Sequence, residues 1–130
     1  MIKFILFILV LGGGSYYLTR NAGLDSGLEL VARHKDASWA PRANYAIAFV
    51  YHQRGEYAKS QAAFTQLLTD YPTSQFSVSG LVYLEDAAEY NHDWSTAKDS
   101  LERYFNEYPD GPDIKLMRQR HELLRSQHGL

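Results

Sequence analysis

The sequence contains no cysteine, only 4 prolines and only 2 tryptophans among its 130 residues. Without cysteine, the chain cannot form a disulfide, a thiolate zinc site or a cysteine nucleophile. The chain also lacks a large net charge of either sign, because it has 13 lysine and arginine residues and 15 acidic residues. A mildly acidic chain lacks the basic surface that nucleic-acid binding needs, so we exclude nucleic acid as a partner.

Catalytic and nucleotide-binding motifs are missing as well. The sequence has no Gly-x-Ser-x-Gly turn, no phosphate-binding glycine loop and no His-Glu-x-x-His motif. Its 5 histidines are not spaced as metal ligands, and the glycine run at 12–14 lies inside an apolar segment. We therefore predict a protein that is not an enzyme and that needs no cofactor, no metal and no small-molecule substrate.

The first twenty residues differ in composition from the rest of the chain. Lys3 precedes an unbroken apolar run, which is followed by three glycines, Tyr16, Tyr17 and Arg20. This order is typical of a secretory signal peptide and also of a short signal anchor. The predicted membrane segment consists of Phe4, Ile5, Leu6, Phe7, Ile8, Leu9, Val10 and Leu11.

Two interpretations of this segment stay open. A retained anchor would contact the membrane through residues 2–18, but a helix over residues 4–18 is only about 22 Å long, and a hydrocarbon core is about 30 Å thick. A cleaved signal would release the rest of the chain, although no Ala-x-Ala cleavage site is present. Both interpretations place the remaining chain on the extracytoplasmic, periplasmic side. Arg20, Arg33 and Lys35 weakly favour the opposite orientation.

Residues 43–72 have the pattern of two amphipathic helices joined at Gly55. Small and apolar residues recur at helical spacing: Ala43, Ile47, Ala48 and Tyr51 in the first helix, and Tyr57, Ser60, Phe64, Leu67 and Leu68 in the second. Gly55 suits the left-handed conformation that ends a helix, and Pro72 ends the second helix. One such hairpin cannot bury its own apolar face, so it needs neighbours.

A second copy of this pattern begins 37 residues later. Trp94, Ala97, Leu101 and Pro109 stand 37 positions after Tyr57, Ser60, Phe64 and Pro72, respectively. Self-similarity at such a period predicts an array of helical repeats. A further match at 36 positions before the first copy marks residues near Leu28 and Val31 as the second helix of a degenerate repeat.

These residues resemble the tetratricopeptide repeat family. The first repeat matches the family pattern at Ala48, Tyr51, Gly55, Tyr57, Phe64 and Pro72. The second departs from the pattern at Glu85, Ala88 and His92. The resemblance covers residues 41–109 and implies an all-α fold, a short α-α superhelix that here follows an N-terminal apolar helix. The family period is about 34 residues, so we expect a longer loop between the repeats, around Thr73–Ser79.

The chain is long enough for one domain and, with 45% hydrophobic residues, can form a core. We predict a signal anchor or signal peptide at 1–20, a linker and capping helix at 21–40, two hairpins at 41–109, and a capping helix with a tail at 110–130. Within these ranges, the linker is expected over Asn21–Ser26. The last helix is expected to bury Ile114, Met117, His121 and Leu124 and to end near Arg125, before a frayed tail.

The resemblance also implies that the first helices of the hairpins line a groove that binds a protein partner. The groove residues carried over to this sequence are Arg42, Tyr45, Phe49, His52, Gln53, Ser79, Val82, Asp86, Glu89 and Tyr90. Tyr45 and Phe49, on a face pointing away from the core of their own repeat, either anchor an apolar side chain of the partner or pack under the N-terminal helix or the membrane-proximal linker. Asp86 and Glu89 either select a basic group or form a solvated acidic face.

From these features we predict an adaptor for protein–protein interaction, tethered to a membrane as an accessory subunit of a membrane complex. The resemblance also permits a periplasmic assembly factor or chaperone for envelope or cytochrome clients.

Overall fold

The computed structural model describes residues 21–130. In this part of the chain, six helices alternate with turns and no strand occurs. The helices are α1 (Asn21–Arg33), α2 (Ala40–Gln53), α3 (Tyr57–Asp70), α4 (Ser77–Tyr90), α5 (Trp94–Glu107) and α6 (Ile114–His128). The all-α fold is confirmed for these residues, whereas the predicted membrane segment Phe4–Leu11 and the rest of 1–20 lie outside the described residues. None of the six helices is long and apolar enough to cross a bilayer.

Two kinds of turn alternate along the chain, and both repeat. Short turns join α2 to α3 and α4 to α5, while longer turns at 34–39, 71–76 and 108–113 join the remaining pairs. In each longer turn, the fourth amide donates to the first carbonyl: Ala37 to His34 (2.9 Å), Ser74 to Tyr71 (3.2 Å) and Gly111 to Tyr108 (2.9 Å). The repeat pattern therefore extends over all of residues 21–130: α1 corresponds to the second helix of a hairpin and α6 to the first helix of a hairpin.

The ends of the first helices are marked by left-handed backbone. Gly55 (φ 73°), His92 (φ 56°) and Gly129 (φ 68°) have positive φ, and they lie 37 residues apart. Glycine adopts this conformation without steric cost, and histidine is among the few other residues that tolerate it. The helical register is thus the same in α2, α4 and α6, although His92 replaces the expected glycine.

The core follows the contacts between successive helices. Each helix packs mainly on its neighbours in sequence, and α2 also contacts α4. The predicted buried face of α3 is confirmed at Ser60, Phe64, Leu67 and Leu68, which are at most 3% exposed, whereas Tyr57 is half-buried. The predicted face of α2 is partly wrong, because Asn44 is buried whereas Ala43 and Ile47 are half-buried. Asn44 tolerates burial because its Nδ2 donates to the Ala63 carbonyl at 2.9 Å.

Two expectations about the ends of the repeat array are wrong. The predicted linker Asn21–Ser26 is helical, because Leu24 is buried in the core and the Tyr51 hydroxyl donates to Asp25. The last helix does not end near Arg125 but continues to His128, whose ring stacks on Trp94 at 3.8 Å. In both cases a tertiary contact stabilises a helix that its own sequence marks only weakly. The connection between the two hairpins covers residues 71–76, so the expected range Thr73–Ser79 is wrong at its end, because α4 begins at Ser77.

Candidate partner-binding surface

The ten predicted groove residues lie on α2 and α4. Three of them, Arg42, Gln53 and Tyr90, are exposed, and the other seven are half-buried. The helix α6 continues the same surface, because Arg120 contacts Asp86, which in turn contacts His52 of α2. We use the name first-helix face for the surface that the first helices α2, α4 and α6 form around His52, Asp86 and Arg120. Whether the ten residues bind a partner stays a prediction.

A continuous row of aromatic rings runs across the first-helix face. The rings in order are Phe76, Tyr45, Phe49, Tyr83, His52, Tyr57 and Tyr90. Their successive centroids are 5.1, 6.4, 5.6, 5.0, 5.4 and 4.3 Å apart. These distances are typical of favourable aromatic pairs, so the row stabilises the relative positions of α2, α3 and α4.

Tyr45 and Phe49 are held within this row instead of projecting freely. The Tyr45 ring meets the buried Phe64 ring edge-on at 6.0 Å, so the expectation that it points away from the core is wrong. Burial raises the pKa of the Tyr45 hydroxyl above its ordinary value. Phe49 packs edge-on against Tyr83 at 5.6 Å. The two rings therefore pack against α3 and α4, and only part of each is available to a partner.

Four charged or titratable side chains connect the three first helices. His52 Nε2 lies 2.7 Å from Asp86 Oδ2, and Arg120 Nη1 donates to Asp86 Oδ1 at 3.0 Å. The same Arg120 nitrogen lies 2.6 Å from Glu85 Oε2. Asp86 thus has one partner on α2 and one on α6, and Arg120 links α6 to two carboxyl groups of α4. The sequence predicts His52 and Asp86 as groove residues but not Arg120, because it predicts only a capping helix for α6.

Glu85 occupies a position where the first repeat has the small residue Ala48. Its side chain is fully buried. The pKa of Glu85 is raised from an ordinary 4.5 to about 8, because burial and the hydrogen-bonded Glu89 carboxyl together raise it by more than Arg120 lowers it. A buried carboxylate without full compensation favours its protonated form, which is the physical cause of the raised pKa.

This shift gives the protein a specific pH dependence. Because the native state binds a proton at Glu85 more tightly than the unfolded state, the Glu85 contribution to stability is fully present below pH 4.5 and is lost as pH rises through about 8. We expect urea denaturation to give a free energy of unfolding that falls over this interval. In Glu85→Gln this fall should be weaker, since glutamine does not titrate. An equal pH slope in both proteins would contradict the assignment.

A cavity of about 550 Å³ opens between α4 and α6 on the first-helix face. Residues on its wall include Asp86, Glu89, Tyr90, Trp94, Arg120 and Leu123. Tyr90 is 60% exposed and Leu123 is 56% exposed, so the cavity presents apolar surface beside carboxylates. A signal for Leu123 was present in the sequence, because Leu123 stands 37 positions after Asp86 and so occupies the equivalent site on α6.

The titratable side chains do not form a metal site within residues 21–130, where no three of the histidine and acidic residues converge as ligands. His52 belongs to the polar network described above, and His92 and His128 both contact the Trp94 ring, at 5.4 and 3.8 Å.

Comparison with known families fits this geometry. A family model described as tetratricopeptide repeat matches residues 42–74, which take in most of α2 and all of α3. Residues 42–74 form a tetratricopeptide repeat. The second hairpin, α4 and α5, follows the same turns and register, although the match does not extend to it. A comparison with curated proteins found no match for the chain.

This repeat indicates a class of function. Tetratricopeptide repeats mediate binding of protein partners and are typically scaffolds, not enzymes, so protein–protein interaction is the function class of this chain. In such arrays the surface of the stacked repeats forms the binding site. On the first-helix face, aromatic rings, an open cavity and charged groups occur together.

Proposed function

We propose that the protein is an adaptor that holds a protein partner at the extracytoplasmic side of a membrane, as an accessory subunit of a membrane complex. The observation that carries the adaptor role is the position of exposed Tyr90 and Leu123 beside the carboxylates of the first-helix face. Partner-binding sites commonly combine an aromatic anchor with a polar rim, and this arrangement has both.

The accessory-subunit role is supported by the small size of the array. Residues 21–130 form two full hairpins and one additional helix at each end. A surface of this size suits a permanent contact in a larger complex better than independent capture of a long peptide, because affinity depends on a few well-packed contacts.

The membrane location rests on the sequence of residues 1–20. Its apolar run Phe4–Leu11 between Lys3 and Arg20 has the order of a signal anchor or signal peptide. Retention of this segment would tether the first-helix face close to the bilayer. N-terminal sequencing of the mature protein distinguishes an anchor from a cleaved signal.

Native gel electrophoresis after extraction of membranes with mild detergent tests the role. We expect the full chain to migrate with one stoichiometric complex. In the double variant Tyr90→Ser/Leu123→Ser, the affinity for the complex should fall by about tenfold or more, because a tenfold change requires only about 1.4 kcal/mol of binding free energy. The control is Leu30→Ser, which removes a leucine that is 50% exposed on α1. A small free species with substoichiometric clients would instead favour an assembly factor. If the double variant formed as much of the complex as the unsubstituted protein, the first-helix face would not be the binding site.

A further inference from the structure

We infer that two copies of this chain associate through α6, with the two helices antiparallel across a two-fold axis near Gln119. In this dimer, Leu116 of each copy contacts Leu123 of the other. Lys115 of each copy forms an ion pair with Glu122 of the other. The inference concerns a contact between copies and so goes beyond the adaptor role. It is carried by a row of exposed leucines and by a row of opposite charges with the same spacing.

The first row consists of two leucines on the outer side of α6. Leu116 is 38% exposed and Leu123 is 56% exposed, and they lie seven positions apart. Seven residues make almost two helical turns, so both side chains lie on one face, about 10 Å apart along the helix. The opposite side of α6 packs on the core through the buried residues Met117 and Leu124. The rest of the described chain thus leaves an apolar row exposed on α6.

The second row consists of one basic and one acidic residue. Lys115 and Glu122 are both exposed, and they too lie seven positions apart. Within residues 21–130, neither has an oppositely charged side chain within 4.0 Å. Each of them directly precedes a leucine of the first row, so the two rows are about 100° apart around the helix. Between the rows lie the exposed neutral residues Gln119 and Ser126.

These two rows are complementary to a second copy of themselves. A two-fold axis perpendicular to α6 reverses the direction of the helix, so a residue on one side of the axis meets a residue on the other side. The midpoints of the leucine pair and of the charged pair both fall within one residue of Gln119. One axis therefore forms two leucine contacts and two ion pairs at once. A parallel arrangement would instead place lysine beside lysine and glutamate beside glutamate, so the charges select the antiparallel dimer.

The contact is small, which sets the expected strength of the dimer. Each copy contributes two leucines and two charged side chains, less than the standard interface of about 1,600 Å² contains. We therefore expect a reversible dimer with a Kd on the order of 100 μM.

Sedimentation equilibrium of the full chain in density-matched mild detergent tests the ion pairs. Lys115→Glu and Glu122→Lys each place like charges opposite each other twice in the dimer, so each should weaken association by about tenfold. A heterodimer of the two variants regains both ion pairs with the charges exchanged. An equimolar mixture should therefore form heterodimers with about the affinity of the unsubstituted chain. Added salt should reduce these differences, because the charges are exposed.

A cysteine substitution tests the position of the axis, because the chain contains no cysteine of its own. Gln119→Cys should form a disulfide between two copies under mild oxidation, since the axis brings this residue close to itself. Arg125→Cys is the matched control, because Arg125 is exposed on the same helix but lies away from the axis. It should remain largely uncrosslinked.

A substitution in the leucine row tests the apolar contact. Leu116→Ser should weaken association by about tenfold. Leu30→Ser, which changes a leucine that is 50% exposed on α1, should leave association unchanged. Circular dichroism of every variant verifies that the helices are intact.

Several results would overturn the inference. They are equal association of the unsubstituted chain and both charge reversals, no recovery on mixing, and equal cross-linking at positions 119 and 125. If Leu116→Ser removed the native complex without changing the mass of the isolated chain, this face would bind another protein, and the dimer would be rejected.

Failure of the dimer can be distinguished from failure of the adaptor function. Leu123 belongs to both surfaces, whereas the wall of the cavity between α4 and α6 includes neither Leu116 nor the two charged residues. If Tyr90→Ser loses the native complex while the charge reversals leave self-association unchanged, the adaptor function stands and the dimer is rejected. If the dimer is found but the complex is unaffected in Tyr90→Ser/Leu123→Ser, the dimer stands and the adaptor function is rejected for the first-helix face.

Discussion

Replacing Phe64 with alanine should lower the free energy of unfolding by about 3–5 kcal/mol, as expected for a buried aromatic residue that leaves a cavity. Phe64 of α3 is 0% exposed. Its ring stacks on Tyr83 of α4 at 5.5 Å and meets Tyr45 of α2 edge-on at 6.0 Å. The substitution therefore removes contacts to both neighbouring helices. Urea denaturation of the full chain, followed by circular dichroism at 222 nm (roughly the helix band), measures the loss.

The control for this substitution is Tyr90→Ala. Tyr90 is also aromatic and helical, but it is 60% exposed and contacts chiefly Tyr57. Its loss should cost about 1 kcal/mol or less, in the range of a single aromatic pair. Comparable losses at the two positions would mean that Phe64 does not lie at the junction of three helices.

Replacing Arg120 with methionine should destabilise the protein by about 1.5–3 kcal/mol at neutral pH, the range for a hydrogen bond that involves a charged group. Arg120 Nη1 lies 2.6 Å from Glu85 Oε2, and the Glu85 side chain is 0% exposed. Because the pKa of Glu85 is raised to about 8, its carboxyl group is mostly protonated at neutral pH. The substitution therefore removes a hydrogen-bond donor from a buried carboxyl group and does not leave a buried anion behind.

A double substitution separates the polar contact from packing at this site. Glu85→Ala/Arg120→Met restores the small residue found at Ala48 and also removes the buried carboxyl group, so it should be more stable than Arg120→Met alone. The exposed Arg118→Met on the same helix serves as the control and should change stability by less than about 0.5 kcal/mol. If the double variant were no more stable than Arg120→Met, the loss would be due to packing of the arginine side chain and not to the unpaired buried carboxyl group.

The repeat and its turns were predictable because their signals are local. Gly55 supplies the left-handed residue, Pro72 ends a helix, and the apolar spacing of Phe64, Leu67 and Leu68 marks the buried face of α3. Each signal acts within one or two helical turns, and its recurrence after 37 residues identifies the array.

The details of the candidate site depend on packing between helices and were therefore not predictable. Glu85 meets Arg120 across a separation of 35 residues, and neither residue carries a local mark of that contact. The position of Tyr45 against Phe64 depends on how α2 is rotated on α3, which the apolar spacing of α2 left uncertain by part of a turn. The helical conformation of Asn21–Ser26 likewise depends on tertiary contacts such as that between Tyr51 and Asp25.

Stacked hairpins with a shared first-helix face require particular ring contacts between successive repeats. Nuclear Overhauser spectroscopy of the full chain in detergent micelles should detect ring-to-ring contacts between Tyr57 and Tyr90 and between Trp94 and His128, whose centroids are 4.3 and 3.8 Å apart. Observation of both contacts supports the open array. Their absence, together with contacts between Leu24 of α1 and Leu124 of α6, would show a closed bundle and contradict it.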